Sequence, residues 1–135
     1  SFELGRAKVI RQSSDDKATI VGSGVTLFEA LEAYEQLKDE GINVRIVDLF
    51  SIKPIDASTL VASGKATGGL IITVEDHSIH GGIGDAVAAA VSPDGIRVHR
   101  MGISEMPRSG KPEELLAAYG IDRQAIVGKV KALTR

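Results

Sequence analysis

The sequence predicts an α/β fold: a mainly parallel five-stranded sheet with one antiparallel edge strand and helices on both faces. Three observations carry this. Short β-branched runs alternate with amphipathic stretches of helical period along the chain. Leu70-Ile71-Ile72-Thr73-Val74 is apolar and β-branched, as a strand covered on both faces must be. Turn clusters at Gly22-Ser23-Gly24, Gly68-Gly69 and Ser92-Pro93-Asp94-Gly95 punctuate the joins.

Taken in order, Ser1 to Ala7 reads as a lead-in, and Lys8-Val9-Ile10-Arg11 as an edge strand whose charges discourage further pairing. Ser13-Ser14-Asp15-Asp16 is a turn, so Ala18-Thr19-Ile20-Val21 is expected to pair with the first strand as an antiparallel hairpin. The first long helix follows Gly24. Thr26 and Glu29 have the spacing of a capping box, and Leu27, Ala30, Leu31, Tyr34 and Leu37 form its inward face. Gly41 suits its end. A parallel strand lies within Ile42 to Leu49, with Asp48 at its carboxyl end, and Asp56 is the N-cap of a helix running to about Ala66.

The strand at Leu70 to Val74 is expected to give way to a loop, Glu75 to Gly84, and then to a helix over Ala86 to Val91. Ile96 to Met101 alternates as the last strand. Pro112 and Leu115, Leu116 and Tyr119 describe a helix ended by Gly120. Asp122 caps the final helix, whose stripe is Ile126, Val127, Val130 and Leu133.

The totals narrow the classes. A chain of 135 residues fits a single domain, 1–135. A net charge of −2 without a basic run gives no nucleic-acid footprint. Cysteine is absent, which removes thiol catalysis and agrees with a reducing, cytoplasmic setting. No apolar run reaches the length of a membrane span, and no signal-peptide pattern opens the sequence, so no membrane partner is expected.

The densest chemistry is Glu75, Asp76, His77 and His80, followed by Gly81, Gly82 and Gly84. At the carboxyl end of a strand in an open α/β sheet, such groups are acid/base or anion-contact candidates. They serve equally well as a hydrogen-bonded loop fixing one domain against another. Arg108, Ser109 and Lys111 around Gly110 could clamp a phosphate or carboxylate, or meet a neighbouring subunit. Gly22 and Gly24, with Asp48 after the next strand, partly imitate a dinucleotide-binding unit, but Leu27 stands where the third glycine belongs. Two histidines three apart lack the further ligands of a metal site, so none is expected.

Four segments together resemble the C-terminal domain of transketolases, of the animal-like branch. They are Ile20 to Leu27 with Glu29-Ala30-Leu31, Val47 to Asp56, Thr73 to His77 with Gly81-Gly82-Ile83-Gly84, and Pro107 to Pro112 with Glu114-Leu115-Leu116 and Tyr119 to Asp122. The glycine loop alone is also similar to the last domain of deoxyxylulose-phosphate synthase and of 2-oxo acid dehydrogenase β subunits. The resemblance implies a part of an enzyme that moves two-carbon ketol units between sugar phosphates in the pentose phosphate pathway, using thiamine diphosphate and Mg²⁺. It implies that this segment holds no catalytic residue, binds no cofactor alone, and partners the remaining domains and a second protomer. A free-standing module binding an anion or nucleotide is the reading from a different class.

Overall fold

Side-chain alternation divides the core into two layers. In the computed structural model, which describes residues 5–78, 82–103, 116–117 and 120–134, Ile20, Ile46 and Ile72 belong to one cluster and Val21, Val47 and Ile71 to the other. All six are inaccessible to solvent, as expected for strands sandwiched between helices.

The strands are β1 (Lys8–Arg11), β2 (Thr19–Gly22), β3 (Arg45–Asp48), β4 (Leu70–Ser78) and β5 (Arg97–Ile103). They form one sheet in the order β1-β3-β2-β4-β5. All neighbours are parallel except β1 and β3. Helices α1 (Val25–Asp39) and α4 (Arg123–Leu133) pack on one face through Ala30, Ala33, Leu37, Ile126, Val127 and Val130. Helices α2 (Ala57–Ala66) and α3 (Ile83–Val91) cover the other through Leu60, Val87 and Val91. The predicted fold class is therefore observed.

The hairpin between the first two strands is not. β1 is antiparallel to β3, with Lys8 opposite Asp48 and Val9 opposite Val47. Both edges of β2 are already taken, by β3 and β4. The intervening turn carries the chain past the start of β3: Asp16 accepts from the Ser13 amide at 2.8 Å and faces Arg45 at 3.4 Å, and the Lys17 amide donates to the Asn43 carbonyl.

Two further expectations change. β4 continues through Glu75, Asp76, His77 and Ser78, because pairing with β5 resumes at Ser78 opposite Ile103 after an irregularity. Glu75 to Ser78, read as the start of a loop, are therefore the end of a strand, and α3 begins earlier than Ala86, at Ile83. The capping box does not form either. The Thr26 hydroxyl donates to the Ser23 carbonyl and accepts from the Ser23 amide, while Glu29 turns to Arg123. Asp56 and Asp122 do cap their helices, accepting from the amides of Thr59 and Ala125. The helix predicted after Pro112 falls mostly outside the described residues, but Leu116 is buried in the α1/α4 core.

Candidate functional site at the carboxyl end of the sheet

The strand order reverses at β2. The connection from β2 crosses one face to β3 on one side, and the next returns across the other face to β4 on the opposite side. In open α/β sheets the gap between such strands, beyond their carboxyl ends, is where ligands and partners meet the fold. Here it is a cleft of about 350 Å³. The turn after β2 (Ser23, Gly24, Val25, Thr26), the loop after β3 (Leu49, Phe50, Ser51, Ile52), the end of β4 (Glu75, Asp76) and the start of α3 (Gly82, Ile83) line it.

Glu75 is the pivot of that wall. Only 1% exposed, it reaches the first turn of α3, where Oε1 accepts from the Ile83 amide at 3.0 Å and Oε2 from the Gly84 amide at 2.8 Å. A helix start offers unpaired amides and a partial positive charge, and here the protein's own carboxylate takes both. Glycine at 84 leaves room for this closure: a Cβ there would lie 2.9 Å from Arg100 Cδ and 3.0 Å from Glu75 Oε2, so one of those side chains would have to shift. Asp85, in the same first turn, pairs with Arg100 of β5.

The glycine turn after β2 is also turned inward. A Cβ on Gly22 would sit 3.0 Å from the Leu27 amide, so the first glycine admits the close approach of α1 that the dinucleotide pattern assigns to the third. The Ser23 amide, which a phosphate would need, donates to Thr26. Gly22 and Asp48 are neighbours across β2 and β3, as in such units, but Asp48 does not line the cleft. Burial pushes its carboxyl above the ordinary aspartate value, against the pull of Lys8.

Of the other candidates, Asp76 and Gly82 line the cleft. His77 is placed in β4, and His80, Gly81, Arg108, Ser109 and Lys111 lie outside the described residues. Sequence reasoning missed Arg123. Its amide and guanidinium both bind Glu29, at 2.9 and 3.0 Å, and a further nitrogen reaches Glu32 at 2.9 Å. The Arg123 hydrogen bond draws the Glu29 carboxyl below its ordinary value in spite of burial. It also missed Val25 and Phe28, which are exposed at the top of α1. The available signal was that neither belongs to the inward stripe of that helix, yet both are large and apolar.

The model of the family described as transketolase, C-terminal domain, matches residues 5–126. The chain belongs to the transketolase C-terminal domain family. Transketolase-like protein 1 of Bos taurus is 56% identical over 98% of this chain, and transketolase of Mus musculus 53% over 98%. The chain spans 21 to 22% of the length of these relatives. A solved structure described as a split gene transketolase, inactive beta4 tetramer, is 39% identical with a TM-score of 0.88, over 99% of this chain and 45% of that one. Transketolase from Leishmania mexicana, 21% identical with a TM-score of 0.71 over 95% of this chain and 18% of its own, shows the same fold.

Among the described residues no group of three His, Cys, Asp or Glu could hold a metal ion, and at the start of α3 the amides that an anion would need are already taken by Glu75. Among the described residues no helix is long and apolar enough to cross a membrane.

Proposed function

We propose that this chain is the C-terminal domain of a thiamine-diphosphate-dependent transketolase of the pentose phosphate pathway, a cytoplasmic dimeric enzyme that transfers two-carbon ketol units between sugar phosphates. In this reading the domain serves structure, dimer contact or regulation and has no activity by itself. One observation carries it: a family match over residues 5–126, with more than half of the residues identical to relatives about five times as long. The internal use of Glu75, Thr26 and Glu29 supports the inactivity of the domain alone. So does the description of the split-gene neighbour's tetramer as inactive.

Thiamine diphosphate and Mg²⁺ are then held by the rest of the enzyme. Asp76, His77, His80, Gly81 and Gly82, with Arg108, Ser109 and Lys111, are assigned to contact with the remaining domains or the second protomer. The family names favour transketolase over another thiamine enzyme.

The test is a ketol-transfer assay with thiamine diphosphate, Mg²⁺, xylulose 5-phosphate and an aldose phosphate acceptor, run on the full-length protein and on residues 1–135 alone. Turnover by the long protein only is expected. Turnover by the short chain, or by neither, overturns the reading.

A further inference from the structure

Most cations of this domain are matched with carboxylates. Arg45 meets Asp16, Lys65 meets Asp94, Arg100 meets Asp85, Arg123 meets Glu29 and Lys131 meets Glu40. Arg97 and Lys129 depart from that pattern: among the described residues neither is paired with a carboxylate. The fold brings the two to one place. Ile96 and Val98 pack into the α2/α3 layer, so the alternate positions Arg97, His99 and Met101 turn to the α1/α4 layer, where Met101 is buried. The register agrees, since Arg97 lies opposite Leu70 and His99 opposite Ile72, both core residues of that layer. On α4, Lys129 stands next to Val130 and one turn from Ile126, which belong to the same layer. Arg97 from the strand and Lys129 from the helix thus bear on His99, and both disfavour its charged form beyond what burial does.

Three basic groups on the last strand of the sheet and the helix beside it are left without a described counter-charge. His99 and Lys129 are half-buried, so solvent screens them only in part. An anion removes the repulsion. Arg97 offers a planar fork of N–H donors, Lys129 a compact ammonium, and His99, once protonated, a donor on each ring nitrogen. A phosphate group matches that set better than a carboxylate does, with three acceptor oxygens and a charge of about −1.5 to −2 at neutral pH. We propose that Arg97, His99 and Lys129 form a binding site for the phosphate group of a small phosphorylated metabolite, apart from the cleft at the carboxyl end of the sheet. The site stands whether or not the protein transfers ketol units.

Diethyl pyrocarbonate acylates neutral imidazole, and mass spectrometry of the peptide that carries His99 reads the rate at that ring alone. In the full-length protein at about pH 6.5, about 10 mM inorganic phosphate should slow this acylation about fivefold or more relative to sodium chloride of equal ionic strength, because bound phosphate both covers and protonates the ring. Glycerol 3-phosphate should protect equally, and phosphatidic acid vesicles of the same phosphate content should not. In the double variant Arg97→Gln/Lys129→Gln the rates in phosphate and chloride should become equal. Equal rates in the parent protein overturn the inference, as does protection that survives in the double variant. Protection by vesicles alone would make the surface a membrane contact instead. A His99 that fails to react even in chloride is covered by another part of the protein, which equally removes the site.

Discussion

Two helices begin side by side at the carboxyl end of the sheet and are finished in opposite ways. The start of α3 is closed from within, its first amides held by the buried carboxylate of Glu75 and its first turn paired to Arg100. The start of α1 follows Gly24 at φ 60°, carries no side-chain cap, and turns Val25 and Phe28 to solvent. Among the described residues, the charges of Glu75, Asp85 and Arg100 hold this end of the domain together, while Val25 and Phe28 stay exposed. A segment dense in ionisable residues therefore has to be checked for the amides it satisfies before chemistry is assigned to it.

Glu75→Ala breaks the closed side and has the largest expected effect. It orphans two amides in a buried setting, so urea denaturation should show a loss of about 2–4 kcal/mol. Arg123→Ala should cost less, about 1–2 kcal/mol, since the guanidinium is 37% exposed. Its signature is in pH. The folded Glu29 carboxyl lies below its ordinary 4.5 because of the Arg123 hydrogen bond, so the stability it confers is present above that value and lost as pH falls through the folded one. The urea midpoint of Arg123→Ala should fall less steeply with acidification than that of the parent chain.

His99 provides a smaller contrast on the other edge of the sheet. Burial first, then Lys129 and Arg97, hold its pKa below the ordinary 6.5. The unfolded chain takes up the proton first, so stability should decline as pH drops from 6.5 toward the lower folded value and then level off. In an NMR titration Lys129→Ala should move the His99 midpoint upward. Phe28→Ser sharpens the comparison from the open side: in residues 1–135 alone it should change stability by less than about 0.5 kcal/mol.

The sequence made the layers legible because each element obeys a single period. Ile20, Ile46 and Ile72 alternate correctly, and Asp56 and Asp122 stand where caps belong. Strand order was less legible. A short turn at Ser13 to Asp16 suggests a hairpin, and nothing local reveals that β2 is already flanked by β3 and β4. At the candidate site, Glu75 was found but its role was not, because its partners are backbone amides eight and nine residues away and carry no residue-type signal. Glu29 fits a capping box as well as it fits Arg123, a partner 94 positions distant that local spacing cannot disclose.

The most direct test of the claim that Glu75 holds structure rather than performs chemistry is Glu75→Gln in the full-length protein, with the melting temperature and kcat for the proposed ketol transfer measured on the same sample. A lowered Tm with kcat unchanged at a temperature where the variant is fully folded is the result expected. An unchanged Tm with kcat lost would place Glu75 in the reaction and contradict the account.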